Sequence, residues 1–179
     1  PTYVLMPNHW HLLLWPDENQ ASLVSSFMHW LTVTHVRRRH GFKKTSGTGH
    51  LYQSRFKAFP IQNDGHFLAV ATYIERNPVR AGIVGKAQQW QWGGLWRRVS
   101  GSKNHIAFLS RWPVSRPPKW NEFVNIPDDE QELKKIRKCC RKGDPFGDDN
   151  WATRTAKEHG LEQTLRGPGR PPKSEKYKK

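Results

Sequence analysis

The alternation of apolar and polar residues at the start of the chain predicts a tight β-hairpin. Residues 3–14 read YVLMPNHWHLLL, in which a Pro-Asn turn pair separates two strand-like runs. Because strand side chains alternate between two faces, we expect His9 and His11 to project together from a polar face. The opposite face, which we expect to meet the core, carries Trp10, Leu12 and Leu14.

Two helices are predicted downstream by apolar residues at helical spacing. The first spans residues 22–41 and stops at its terminal glycine. Its apolar stripe consists of Leu23, Val24, Phe27, Leu31 and Val36. The second covers residues 65–77, is capped by Asn63 or Asp64, and is ended by Pro78, since the residue before a proline disfavours the helical region.

The remaining segments are a third strand, short connections and a charged C-terminal part. Residues 50–62 alternate well enough to predict a strand, and its basic face carries Arg55 and Lys57. The connections contain tryptophans that we expect in the core, namely Trp90, Trp92 and Trp96. From residue 110 a proline-rich linker leads to charged helices in residues 128–143 and 148–162. Residues 166–179 have too few apolar side chains to fold without a ligand.

The net charge of the chain indicates a class of binding partner. The 179 residues include 30 Lys and Arg against 15 Asp and Glu, a net charge of +15, and we expect nucleic acid as the polyanion that binds it. The length suits one domain with a tail. The two cysteines are adjacent, which gives neither a disulfide framework nor a zinc site. No apolar run approaches the roughly 18 residues of a membrane span, so we expect no membrane partner and a cytoplasmic location.

A candidate site combines the hairpin with the second helix. Tyr73 and Asn77 are four residues apart and therefore share a helix face. The neighbouring apolar stripe, which would pack on the sheet, consists of Phe67, Ala71 and Ile74. If the end of this helix lies beside His9 and His11, the site contains two imidazoles, an amide oxygen and a phenol.

These four groups suit cleavage of a phosphodiester. Two nitrogens and one oxygen can hold a divalent ion that keeps positions open for a phosphate, and the ion would stabilise the charge of the displacement. A tyrosine can then act as nucleophile and form a phosphotyrosine link. The alternatives are that the two histidines are ordinary surface residues and that Tyr73 is a half-buried aromatic side chain.

Four motifs resemble the REP-associated tyrosine transposases, which are single-tyrosine members of the HUH endonuclease superfamily. In chain order they read YVLMPNHWHLLL, GHLYQSRFKAFPIQ, YIERNPVRAGIV and DPFGDDNWATRTAKEHGLEQTLRGPGRPPK. The resemblance implies His9, His11 and Asn77 as ligands of Mg²⁺ or Mn²⁺ and Tyr73 as the nucleophile. It also implies an activity, cleavage and rejoining of single-stranded or hairpin DNA at palindromic repeats through a 5′-phosphotyrosine intermediate.

The expected fold is an α/β (α+β) two-layer sandwich of the HUH endonuclease type, an antiparallel sheet with two helices on one face. We expect a catalytic domain in residues 1–100, a linker with small helices in 101–165 and a basic tail in 166–179. The expected DNA contacts are basic side chains, those of Arg37, Arg38, Arg39, Arg55, Lys57, Arg76 and Arg80, with Arg166 and Arg170 from a tail that resembles minor-groove hooks. A bacterial, nucleoid-associated monomer or homodimer fits these expectations.

The resemblance also implies a strand and a helix before the hairpin. The sequence starts at Pro1 without them, so we expect an N-terminally truncated domain with an exposed sheet edge. An alternative function is therefore a non-catalytic DNA-binding remnant of such a transposase. A metal-dependent hydrolase of the barrel type is a further alternative, although such barrels need roughly 250 residues.

Overall fold

Two strands and a series of helices make up the part of the chain that the computed structural model describes, residues 1–20, 22–45 and 47–167. The strands are β1 (Thr2–Leu5) and β2 (Trp10–Leu13), and the helices are α1 (Leu23–Lys43), α2 (Gly65–Glu75), α3 (Asn77–Arg80), α4 (Gly94–Ser100), α5 (Lys103–Ala107), α6 (Trp120–Val124), α7 (Glu130–Lys142), α8 (Asp149–Glu158) and α9 (Glu162–Leu165). Single 3-10 turns occur at Glu18–Gln20 and Ala87–Gln89. This mixture confirms the α+β class. Within the described ranges, no helix has the length and apolarity that a membrane crossing requires.

The predicted hairpin is confirmed. The strands β1 and β2 pair antiparallel, with Val4 opposite His11 and Thr2 opposite Leu13. The turn closes where the Met6 N–H donates to the His9 carbonyl at 2.8 Å. This pairing fixes which side chains of the two strands share a face, since directly opposed residues project to the same side.

The prediction of which hairpin face meets the core is wrong. Val4 and Leu13 are buried and belong to the core cluster, so the buried face is the one that also carries His11. Leu14, expected in the core, is 39% exposed, and Leu12 is half-buried. Three consecutive leucines fit either alternation, so the sequence pattern alone does not specify the face. The histidines therefore lie at the contact between sheet and helix.

The helix that covers this face is α2, and its predicted cap and stripe are confirmed. Asp64 caps it by accepting a hydrogen bond from the His66 N–H at 2.8 Å. Phe67, Ala71 and Ile74 are all buried in the core cluster. The stripe therefore holds the end of α2 against the hairpin.

The predicted end of this helix at Pro78 is wrong. Helix α2 ends at Glu75, Arg76 separates it from α3, and Pro78 is the second residue of α3. A proline is tolerated in the first turn of a helix because the N–H that it lacks has no partner there. Asn77 consequently begins a new short helix instead of finishing the old one.

Helix α1 is longer than predicted and largely exposed. It continues through Gly41 to Lys43, so the predicted stop at this glycine is wrong. The left-handed residue that ends it is Lys44, with φ 53°, whose N–H donates to the His40 carbonyl. Met28 is its buried residue, whereas several large apolar side chains are exposed, those of Leu23, Phe27, Trp30 and Phe42.

The predicted strand over residues 50–62 is also wrong. In the described residues this segment pairs with no strand and forms one isolated bridge, between Ile61 and Phe146. The alternation of apolar and polar residues in this segment therefore does not correspond to β-sheet pairing. The tryptophan prediction holds only in part, because Trp92 is 53% exposed while Trp90 packs against the core.

The C-terminal segments contribute to the same core as the hairpin. Helices α7 and α8 confirm the two predicted charged helices. Trp112 and Trp120, from the proline-rich segment predicted as a linker, pack edge to face at 5.1 Å, and Trp120 is buried. Trp112 also packs edge to face on Phe67 of α2 at 5.5 Å, so this segment folds back onto α2, although the proposed domain boundaries remain a prediction.

A buried carboxylate joins three of these elements. Glu75, at the end of α2, is 2% exposed. It accepts hydrogen bonds from the Thr2 hydroxyl of β1 and from Nε1 of Trp120 in α6, the latter at 2.7 Å. Burial raises the pKa of Glu75, and the two hydrogen bonds act in the opposite direction.

Candidate active site

The four residues expected to form a site come together. His9 precedes β2, His11 lies within it, Tyr73 is near the end of α2 and Asn77 begins α3. The ring centroids of His9 and His11 are 5.2 Å apart, and those of His11 and Tyr73 are 5.6 Å apart. Nδ2 of Asn77 lies 3.4 Å from Nε2 of His9. The packing of α2 on the buried hairpin face produces this convergence.

A neighbouring side chain fixes the tautomer of His9. The Nδ1–H of His9 donates to Oδ1 of Asn8 at 2.7 Å. With the proton on Nδ1, the lone pair is on Nε2, and this nitrogen faces the amide of Asn77. An outer hydrogen bond of this kind is how metal-binding histidines are usually oriented.

Burial keeps the second imidazole neutral. The pKa of His11 is lowered from 6.5 to about 4, first by burial and then by repulsion from His9 and Arg80. A neutral imidazole offers a lone pair at physiological pH, which is the form that binds metals.

The donor set fits a divalent ion. Two ligand atoms that are each about 2.1 Å from one ion lie about 3–3.5 Å apart at ordinary coordination angles. The 3.4 Å between Asn77 and His9 matches that spacing, and a flip of the amide places its oxygen where the nitrogen now lies. Over residues 1–20, 22–45 and 47–167, no group of three His, Cys, Asp or Glu side chains is placed to hold a metal.

Helix α3 places Arg80, an expected DNA contact, against Tyr73, and α7 adds Arg137 and Cys140, which the sequence did not suggest. The guanidinium of Arg80 lies 4.3 Å above the Tyr73 ring. Burial, and then Cys140, raise the pKa of Tyr73, while Arg80 and Arg137 lower it, and the net direction is upward. Arg137 and Cys140 are three residues apart on α7, so their shared face is visible in the sequence, but nothing there shows that it meets α2.

Two of the predicted DNA contacts are already paired within the protein. Arg80 and Arg76 both bind the carboxylate of Asp128, at 3.3 and 3.6 Å. Arg76 also donates to the Ile126 carbonyl. A phosphate contact by either arginine would have to replace these interactions.

The other predicted DNA contacts are distributed over the surface. Arg37, Arg38 and Arg39 are exposed on the C-terminal half of α1. Arg55, Lys57 and Arg166 are exposed as well, and Arg170 lies outside the described residues. Their role in DNA binding remains a prediction.

A cleft of about 320 Å³ lies between α2 and α7, with Tyr73 on one wall. Its rim carries the carboxylates of Asp128, Asp129 and Glu132. The carboxylate of Asp128 is already paired with Arg76 and Arg80.

Residues 2–77 match the family model described as IS200-like transposase, and this range includes all four site residues. The match covers less than half of the chain. This part of the chain is therefore similar to IS200-like transposases. Searches of curated proteins and of solved structures gave no significant match.

Proposed function

We propose that the protein is a metal-dependent, single-tyrosine DNA strand transferase that cleaves and rejoins single-stranded or hairpin DNA. The observation that carries this proposal is the convergence of His9, His11, Tyr73 and Asn77 within the segment that is similar to IS200-like transposases. The net charge of +15 is consistent with a DNA substrate.

In the proposed reaction Tyr73 is the nucleophile. Its phenol oxygen attacks a backbone phosphorus, and the bond from phosphorus to the 3′ oxygen breaks. The phenolic proton passes to solvent, the departing 3′ oxygen takes up a proton, and a 5′-phosphotyrosine link remains. Attack of a 3′-hydroxyl on that link reverses the step, so rejoining needs no external energy source.

The three other residues would hold a metal ion. His9 and His11 would supply imidazole nitrogens and Asn77 its amide oxygen. Mg²⁺ or Mn²⁺ bound there would polarise the phosphoryl oxygens. The hydrogen bond from His9 to Asn8 would orient that imidazole, and burial would keep the imidazole of His11 neutral.

The proposed substrates are palindromic repeats of the REP type, which fold into hairpins. The exposed residues Arg37–Arg39 of α1 would contact phosphates as one cluster, and the basic residues of 166–179 would do so as another. In this proposal residues 1–100 form the catalytic domain.

Covalent trapping tests the proposal. The wild-type chain, incubated with Mn²⁺ and a hairpin oligonucleotide labelled 3′ of the cleavage site, should form an adduct that survives denaturation. Tyr73→Phe should abolish the adduct and leave DNA affinity nearly unchanged. Tyr52→Phe is the matched control, because it removes a tyrosine hydroxyl that bonds to His35 and Trp10.

Two results would count against this proposal. An adduct that persists in Tyr73→Phe would overturn the assignment of the nucleophile. DNA binding by the wild type without any adduct would favour the non-catalytic remnant.

A further inference from the structure

Arg80 makes three contacts that together fix its guanidinium against Tyr73. The guanidinium carbon lies 4.3 Å from the centroid of the Tyr73 ring, and Nη2 donates to the Tyr73 backbone carbonyl. On the other side, Nη1 lies 3.3 Å from both carboxylate oxygens of Asp128. The arginine therefore connects the segment before α7 to the end of α2.

These contacts leave little of the guanidinium for a ligand. The Arg80 side chain is 14% exposed and that of Asp128 is 15% exposed. An aromatic face attracts a cation, and the planar fork of arginine can serve the ring, the carbonyl and the carboxylate together. Lysine cannot reproduce this arrangement, because its ammonium is a single compact charge.

Tyr73 is also in contact with His11. The two rings meet edge to face at an interplanar angle of 69°. The Tyr73 ring thus contacts both an imidazole and a guanidinium, and a change of its side-chain rotamer would break the contact with Arg80.

We propose that Arg80, anchored by Asp128, is a positioning residue that holds the Tyr73 ring in its reactive orientation. This inference rests on the proposed function and revises the expectation that Arg80 is a phosphate contact. It makes Asp128 a determinant of activity although this carboxylate does not touch the ring.

Kinetics separate positioning from phosphate binding. Adduct formation at saturating oligonucleotide should fall by at least about tenfold in Arg80→Lys and Asp128→Asn, since small misplacements of a reacting group cost about that much or more. The oligonucleotide Kd should stay within about twofold of wild type, because DNA contacts elsewhere supply the affinity. Arg154→Ala, which removes an exposed charge on α8, is the control and should change neither value.

A spectroscopic measurement makes the inference testable whether or not the protein cleaves DNA. The chain has four tyrosines, so ring signals in a ¹³C-tyrosine-labelled sample can be assigned with Tyr73→Phe. The Tyr73 signals should move in Arg80→Lys and Asp128→Asn and stay in place in Arg154→Ala. Cooperative thermal melts of the same samples show that the variants are folded.

The outcomes are distinct. Unchanged Tyr73 signals in both variants would overturn the inference, and so would a weakened Kd in Arg80→Ala that Arg80→Lys restores. If the wild type forms no adduct, the proposed function fails, and the tyrosine signals alone decide whether Arg80 orients the ring.

Discussion

Replacing Glu75 with glutamine removes a buried charge while its two hydrogen bonds can be kept. The carboxylate accepts from the Thr2 hydroxyl and from Nε1 of Trp120. A glutamine carbonyl can still accept from Trp120, and its amide can donate to Thr2, because a hydroxyl both donates and accepts. Glu75→Gln therefore changes the charge and leaves β1, α2 and α6 connected.

The effect on stability depends on pH in a definite direction. Burial raises the pKa of Glu75 above its ordinary value of 4.5, so the folded protein holds this proton more tightly than the unfolded chain does. The part of the free energy of unfolding that comes from this tighter proton binding is fully present below pH 4.5. It is lost as the pH rises through the pKa of Glu75 in the folded protein. Within that window the wild-type free energy of unfolding should fall relative to Glu75→Gln by up to about 1.4 kcal/mol per pH unit.

Urea denaturation between pH 4 and pH 8 measures this difference directly. Glu122→Gln, which removes an exposed carboxylate from α6, is the control for the charge change. Glu75→Leu leaves both donors without a partner and should cost about 2–6 kcal/mol, at about 1–3 kcal/mol for each. A difference between wild type and Glu75→Gln that does not vary with pH would refute the reasoning.

Three further predictions follow from the packing, the metal ligands and the tail. Gly94→Ala would place a Cβ 2.1 Å from a buried threonine hydroxyl of β1, and it should lower the free energy of unfolding by about 1–3 kcal/mol in urea denaturation. Gly41 has open space around it, so Gly41→Ala should raise the free energy of unfolding by up to about 1 kcal/mol. His11→Ala should abolish both Mn²⁺ binding, measured by calorimetry, and adduct formation, and Asn77→Ala should weaken both to a smaller extent. Cleavage that proceeds unchanged in a chelator would contradict the proposed metal site. Deleting residues 166–179 should reduce the slope of log K against log salt by roughly 2–4 on single-stranded DNA, and an unchanged slope would mean that the tail does not contact DNA.

The parts of the structure that the sequence predicted are those that local signals specify. The Pro-Asn pair and the Asp64 cap act within a few residues, so the hairpin and the start of α2 follow from them. The i, i+4 spacing placed Tyr73 and Asn77 on one side of the chain even though a helix break intervenes at Arg76.

The parts that it missed depend on contacts between distant segments. The alternation in residues 50–62 has no partner strand in the described residues, and the bridge that does form uses Phe146. Arg137 and Cys140 reach Tyr73 only because α7 packs on α2. Asp128 likewise approaches Arg80 across 48 residues of sequence, which no local pattern indicates.

The corrected orientation of the hairpin has a consequence for stability at low pH. Because His11 is on the buried face, its pKa is lowered from 6.5 to about 4, so its contribution to stability is present above pH 6.5 and is lost as the pH falls towards 4.

Glu75 acts in the opposite direction above pH 4.5, so the two contributions oppose each other where their windows overlap. Removing the Glu75 carboxylate should leave the pH dependence that His11 contributes. From pH 6.5 to pH 4.5, the free energy of unfolding of Glu75→Gln should therefore fall more steeply than that of the double variant Glu75→Gln/His11→Gln. If the two profiles run parallel, His11 is not buried against α2, and the histidine pair lies on the solvated strand face that the alternation of the sequence predicts.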